Sequence, residues 1–331
     1  MDAYFLVLAV LPFFLGIMLL EHLYFLRKGT PVYDKSDTLV NLACGFGQAL
    51  TDSLFKVLLL WLYLALQRFF QIELIAKSLP TYILCFFFLD LSYYTYHRMS
   101  HRVNLMWAIH IVHHSSSHYN YSVALRQAWF QKLTAFPFYL IFLFFGMPVE
   151  ILAVTIAAHA LLQFFSHTQA FKKEIPWVRW IFVTPSFHRV HHGINRPYID
   201  KNYGGIFSFW DRLFGTYQPE TETVRFGIYP QLNEQSAWVA NTHGLKELFA
   251  DFNQTKSWKE KWALLWAPPL QKHTRQYSVK STKITLHLLT FAVILFYLFR
   301  WDSSPWIWEI GVLFLASAFL LWFAGRTQKV S

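Results

Sequence analysis

Eight of the fifteen histidines in this 331-residue sequence fall into three short motifs. His97 and His101 form an H-x-x-x-H pair, His110, His113 and His114 form H-x-x-H-H, and His188, His191 and His192 repeat that spacing. A ninth, His167, stands alone in QFFSHT. Side chains three and four positions apart share one helix face, so the spacing predicts a pair and two three-imidazole stripes, each presented from one side of a helix. At this histidine content a single H-x-x-H-H is expected by chance about 0.03 times per chain, and two of them in roughly one chain in two thousand. Neutral imidazole is a ligand for zinc, copper, iron and nickel. A structural zinc site needs only four ligands, and a haem uses one or two axial imidazoles. No H-E-x-x-H helix is present, which argues against a zinc protease. Soluble di-iron bundles mix glutamate with histidine, whereas no carboxylate occupies a motif position here. The count therefore points to two metal ions with open coordination positions. His22, His118, His159, His243, His273 and His287 are isolated and are expected to pack or to sit at an interface, with His118 and His159 nearest to the motifs.

The elements that must position these rings are apolar. Hydrophobic residues make up 55% of the chain and charged residues 15%, with a mean hydropathy of +0.29; soluble domains carry about a quarter charged residues. Stretches long enough to cross a bilayer are Tyr4–Leu26, Leu39–Phe70, Thr81–Tyr96, Ile284–Phe299 and Pro305–Phe323. Leu133–Phe145 and Val149–Phe165 flank a Gly146-Met147-Pro148 turn and read as a helical hairpin whose tip reaches the opposite interface. The first apolar stretch lacks a basic leader and a cleavage site, so it reads as a retained span rather than a signal peptide. The net charge of +10 is not a nucleic-acid signature, because the basic residues cluster beside apolar segments, as in loops that face anionic headgroups. Arg27, Lys28, Lys35, Arg98, Arg102, Arg126, Lys172, Lys173, Arg179, Arg326 and Lys329 fall on one side if the N-terminus is outside and seven segments cross, leaving Arg68, Lys77 and the 300–302 link outside. Thr168–Lys283 is polar enough to form a cytosolic cap, of which Gly227–Lys283 carries no readable chemistry. Within the cap, Thr184 is a good N-cap, Pro185 suits the first helical position and Gly193 the C′ position, so a short helix should hold the last three imidazoles. Cys44 and Cys85 lie in apolar stretches, which implies no disulfide framework and a site facing a reducing compartment.

The carriers DLSYYTYHRMSH, LMWAIHIVHHSS, TPSFHRVHHGIN, DKNYGG and FWDRLFGTY, spread over Asp37 to Tyr217, resemble the fatty acid hydroxylase/sterol desaturase superfamily of membrane di-iron enzymes. The wording HIVHHSSSHYNYSVALRQ is most similar to the alkylglycerol monooxygenase branch, which hydroxylates the carbon next to an ether oxygen using tetrahydropterin. The resemblance implies that His97, His101, His110, His113, His114, His167, His188, His191 and His192 hold two iron ions. Where some members carry a further histidine four residues before His167, this chain has Gln163, whose amide is left to hydrogen-bond a metal-bound water or a ligand ring. Asp90 lies on the helical face of Tyr94, His97 and His101 and is expected to accept a hydrogen bond from a ligand histidine. Asn202, in the NYG motif, and Asp211 are further supporting candidates, and Trp210 an interfacial anchor.

The expected fold is all-α: a polytopic membrane helical bundle with a cytosolic helical cap that carries the dimetal site. Its expected parts are 1–80, N-terminal spans; 81–220, catalytic region; 221–283, a cytosolic segment; and 284–331, C-terminal spans. The expected function is O2-dependent hydroxylation or desaturation of a bilayer lipid, with electrons from tetrahydropterin or from a cytochrome- or ferredoxin-type donor. A sterol desaturase-like or fatty acid hydroxylase-like enzyme is the near alternative, and a membrane metal carrier or a non-enzymatic scaffold the distant ones.

Overall fold

The computed structural model describes residues 3–172, 174–229, 231–232, 236–269, 278–279 and 327–328. The two C-terminal candidate spans, His273 and His287 lie outside the described residues. Helix α1 is Ala3–Arg27 and α2 is Lys35–Phe69, entered through Asp34, whose side chain accepts from Asp37 N. Helix α3, Leu79–Arg102, starts at the Ser78 cap with Pro80 in its first turn. It runs past the apolar stretch to include both His97 and His101, then breaks at the extended Val103, and α4, Asn104–His114, follows at once. That single-residue break folds the second motif back beside the first. After a 3-10 turn, Tyr121–Leu125, come α5, Gln131–Phe144, and α6, Val149–Phe164. Short helices α7, Pro176–Ile181, α8, Pro185–His191, and α9, Phe209–Leu213, sit among extended loops, followed by α10, Ala237–Gln254, and α11, Trp258–Trp266. The only strands among the described residues are the dipeptides Ser278–Val279 and Thr327–Gln328.

Two apolar clusters build the frame. One joins α2, α3, α5 and α6 through Tyr63, Cys85, Leu89, Leu143 and Ile151. The other joins α2, α4 and α10 through Val40, Cys44, Ile109, Val112 and Ala240. Helix α10 falls in the segment without readable chemistry, and it is a structural wall: Gly244 packs so closely on α4 that a Cβ there would lie 2.5 Å from the Ala108 carbonyl oxygen. Both cysteines are free and buried.

The hairpin of α5 and α6 forms, and its tip meets the α2–α3 link, where Ile75 N donates to the Gly146 carbonyl (2.9 Å) and Lys77 pairs with Glu150 (3.0 Å). The tip thus lies at the opposite end of the bundle from the histidines. With 14 and 16 residues, these helices are about 21 and 24 Å long, short of a full crossing. Among the described residues α2 alone is long and apolar enough to span a membrane by length and composition. Large apolar side chains nonetheless stand exposed along α3 (Ile83, Leu84, Phe87, Phe88) and the hairpin (Ile141, Phe144, Phe145, Val154).

Candidate metal centre

Nine imidazoles from four segments converge in two groups. His97, His101, His110, His114 and His191 form one; His113, His167, His188 and His192 form the other; within each, the ligand nitrogens lie within 4.8 Å of one another. Eight of these are the positions singled out by spacing, the ninth, His167, is the one the family resemblance implied, and all are buried. His97 and His101 both serve the first group, while each H-x-x-H-H motif splits: His110 and His114, four apart, join the first and His113 the second, and His191 joins the first while His188 and His192 join the second. The groups adjoin, with the His114 and His192 rings stacked at 4.4 Å.

Local structure fixes the rings. In α8, Thr184 caps by accepting from Phe187 N (3.2 Å), with Pro185 in the first turn. Gly193 follows the His192 cap but does not take the left-handed C′ conformation. Its lack of a side chain serves close packing instead, since a Cβ would meet Tyr198 Cδ2 at 2.8 Å and Val224 Cγ1 at 3.0 Å. Four rings are oriented by main-chain carbonyls: Nδ1 of His97 donates to Tyr203 (2.9 Å), of His113 to Arg126 (3.1 Å), of His167 to Gln163 (3.1 Å) and of His191 to Lys201 (3.0 Å). A carbonyl oxygen only accepts, so these four rings carry their proton on Nδ1 and a bare lone pair on Nε2.

Those lone pairs decide what the site is for. His113 Nε2 and His167 Nε2 face each other at 3.3 Å, yet neither bears a proton to share. His97 Nε2 likewise points at His110 Nε2 (3.1 Å). Nε2 of His101, His191 and His192 is buried without any partner. Converging lone pairs repel, and unpartnered buried polar atoms cost about 1–3 kcal/mol each; a cation between them removes both penalties. Burial also pushes His97 down to about 3 and His113 down to about 4. Burial and then the neighbouring imidazoles hold His101, His110, His114, His167, His188, His191 and His192 well below the ordinary range. Neutral rings are the form that binds metal. The donor set fits one metal ion in each group.

The supporting residues differ in part from expectation. Asp90 is fully buried but does not reach a ligand ring. Its oxygens take His159 Nε2 (2.7 Å), Ile206 N (2.7 Å), Phe207 N (3.1 Å) and Trp210 Nε1 (2.9 Å). The reason is distance along α3: Asp90 is almost two turns before His97 and faces α6 and the 203–210 loop. Trp210 is accordingly buried at 6% exposure rather than an interfacial anchor. The Gln163 amide is engaged with His159 Nδ1 (2.9 Å), and the residue supports the ligand His167 through its carbonyl. Asn202 and Asp211 act on the loop that holds His97 and His191. Asn202 is left-handed (φ 60) and ties to Phe187 O, Gln218 N and Gln218 O. Asp211 accepts from Tyr203 N and Gly204 N, both at 2.7 Å, and from Thr216 Oγ1. Burial pushes the Asp211 carboxyl up to about 6 against those three donors. His118 is 38% exposed, 3.9 Å from Asp37; His243 is buried in α10, donating to Val239 and Ala240 carbonyls. Neither these nor His159 joins a metal group.

Three positioning residues escape a reading of the sequence. Arg126 looks like an ordinary loop cation, but it is 1% exposed and bonds Val112 O, Ser115 Oγ and Asn41 Oδ1 while its carbonyl holds His113. Arg189, inside the last motif, forks onto Glu220 (Nη2 to Oε2 2.7 Å) and donates to Thr168 O, tying α8 to the His167 loop. Glu21 of α1 accepts from Tyr33, Tyr121 N and Thr168. Their only signal is a charged residue next to a ligand or inside an apolar run.

Residues 82–216 match the Fatty acid hydroxylase family model. This stretch is a fatty acid hydroxylase domain. It contains all nine clustered histidines. The chain is 35% identical over 260 residues to alkylglycerol monooxygenase of Homo sapiens, covering 78% of this chain and 58% of that protein. It is 36% identical over 260 residues to the Danio rerio alkylglycerol monooxygenase, with the same coverage. Ornithine lipid hydroxylase OlsE of Rhizobium tropici is 26% identical over 149 residues, 42% of this chain and 43% of that protein. The chain thus spans 58% of the length of the monooxygenases it matches. No solved structure gives a significant match.

Proposed function

We propose that the chain is a multi-pass membrane enzyme that uses two iron ions and O2 to hydroxylate a lipid C–H bond, with an ether lipid as substrate. The observation that carries the reading is the pair of imidazole groups with lone pairs converging on two points. Kinship with alkylglycerol monooxygenases and a lipid hydroxylase supports the lipid class. Iron is favoured over zinc because an oxygenase needs a redox metal and zinc has none to offer. When bound, the metal pair would supply the O2 activation and oxidising power that an aliphatic C–H bond demands. The chain's own residues hold the rings in one tautomer through four carbonyls, keep them neutral by burial, and exclude water from the reacting centre. Hydroxylation beside an ether oxygen gives a hemiacetal, which divides into a fatty aldehyde and a glycerol. Tetrahydropterin is the proposed two-electron donor, with a cytochrome- or ferredoxin-type donor as the alternative.

The exposed apolar residues of α2, α3 and the hairpin are proposed to face acyl chains, with segments 284–299 and 305–323 as further crossings. The histidine end then faces the cytosol, in the endoplasmic reticulum of a eukaryote or the inner membrane of a bacterium. Residues 1–80, 81–220, 221–283 and 284–331 serve as N-terminal spans, catalytic region, cytosolic segment and C-terminal spans. A metal carrier is disfavoured, because transport sites sit on broken helices near the midplane, whereas these rings are buried at one end of the bundle and locked to carbonyls.

Purified protein given iron, tetrahydropterin and O2 should release fatty aldehyde from an alkylglycerol, and His191→Ala should abolish this while lowering bound iron. Full activity in His191→Ala would remove the site assignment. Turnover of a sterol or fatty acid with a cytochrome or ferredoxin donor, without any pterin response, would move the enzyme to another branch of the family.

A further inference from the structure

Beside Tyr203 lies a cleft of about 320 Å³, lined by Arg98, Arg102, Lys201 and Asp200 together with Ile199 and Phe214, with Asp200 Oδ1 4.0 Å from His101 Nδ1. Its charges are not balanced internally. Asp200 answers Arg102, with Nη1 2.6 Å from Oδ2. Among the described residues Arg98 has only the Tyr94 hydroxyl, at 3.4 Å, and Lys201 forms no ion pair. Two cations are therefore left for an anion. The lip is apolar: Ile199 and Phe214 are exposed, at 39% and 46%. The cleft also has a defined height. Arg98 and Arg102 follow the lipid-facing stripe of α3, Phe88 lying ten residues before Arg98, about 15 Å along the axis. Basic side chains just beyond an apolar stretch lie at the level of lipid phosphates.

We propose that this cleft binds the phosphate group of a lipid headgroup, with Arg98 and Lys201 as its cationic contacts and Ile199 and Phe214 against the first methylenes of the chains. The amphipathic lining selects a lipid over a free phosphate. Tyr203 forms the shared wall: its ring packs against those of His97, His101 and His191 at 5.3–5.9 Å. An occupied cleft thus lies one ring from the five-imidazole group. The proposal rests on the lipid-facing reading of α3 but not on turnover, so binding and catalysis can fail separately.

The test is calorimetric titration of the metal-loaded full chain in a non-ionic detergent. The probes are dihexanoyl phosphatidic acid, inorganic phosphate and dihexanoylglycerol. The short-chain phosphatidate should bind, inorganic phosphate at least about tenfold more weakly, and the neutral glyceride not at all. Removing two charge-assisted contacts in Arg98→Gln/Lys201→Gln, which alters the Lys201 side chain and not the carbonyl that holds His191, should weaken phosphatidate at least about tenfold. Should the double variant not fold, Lys201→Glu alone, at a side chain without an ion pair among the described residues, is expected to give a similar loss. Unchanged affinity in a folded, metal-loaded variant overturns the site. Equal binding of inorganic phosphate, or of the neutral glyceride, overturns the headgroup assignment.

Discussion

At the scale of single residues, the centre depends on groups that never touch a metal. The carbonyls of Lys201 and Tyr203 set the tautomers of His191 and His97, and those carbonyls stay in place because Asp211 holds the Tyr203 and Gly204 amides. Asp211→Asn keeps the size but turns an amide donor towards one of the two N–H groups, since Tyr203 N and Gly204 N bind different oxygens. We expect about a 10–100-fold loss in metal affinity or activity, the range for such outer partners, read by metal competition with a chelator. A second residue-scale prediction concerns acid. His243 is buried outside the metal groups and burial pushes it down to about 4. The unfolded chain takes up this proton below about pH 6.5, so between 6.5 and 4 the unfolded state binds more protons and stability falls as pH falls. Between pH 7 and pH 5 this one group should cost about 2 kcal/mol. Thermal melts across that window should show a flatter pH dependence in His243→Gln than in the wild type.

Helices contribute through where they stop and how closely they approach. The break at Val103 lets α3 and α4 present their motifs to one centre, and α10 then clamps α4 from the other side. Gly244 is the contact point, because a Cβ would press on backbone rather than on a yielding side chain. Gly244→Ala should therefore destabilise despite its better helix propensity. Forced overpacking costs about 1–3 kcal/mol, visible as a lower melting temperature and as weaker metal retention, since α4 carries His110, His113 and His114. A melting temperature equal to or above that of the wild type would mean that α10 yields freely and is not a wall.

The whole molecule places two environments at opposite ends. One end holds the buried imidazoles and the basic cleft, and the other the hairpin tip against the α2–α3 link. Between them α3 carries Ile83, Leu84, Phe87 and Phe88 outward, each at least 37% exposed. If this belt meets acyl chains, a charge within it is costly, about 2.5–3.5 kcal/mol for Lys at the centre of a span. Leu84→Lys should move protein from the alkali-resistant membrane fraction to the soluble or degraded pool, whereas Lys at the already exposed Glu260 of α11 should not. Equal membrane retention of both variants would contradict a lipid-facing α3.

Eight of the nine imidazoles were legible because their information is local, whereas His167 has no such spacing and rested on the family resemblance. A spacing of three or four residues fixes a shared helix face whatever the tertiary fold, and Thr184 with Pro185 fixes the start of α8. The helical hairpin was legible for the same reason, as two apolar runs around a turn. What no local pattern carries is which ring pairs with which. His113 parts from His110 and His114 because α4 is wedged between two groups, and that depends on the break at Val103 and on α10, more than a hundred residues away. Asp90 shares a helix face with His97 yet meets His159, since a face is a direction and its partner is supplied by another segment. Arg126 reads as a loop charge until the buried carbonyls and amide that surround it are in place. Short-range spacing determined eight of the ligands; long-range packing decided their grouping, their tautomers and the charges that hold them, and brought His167 among them.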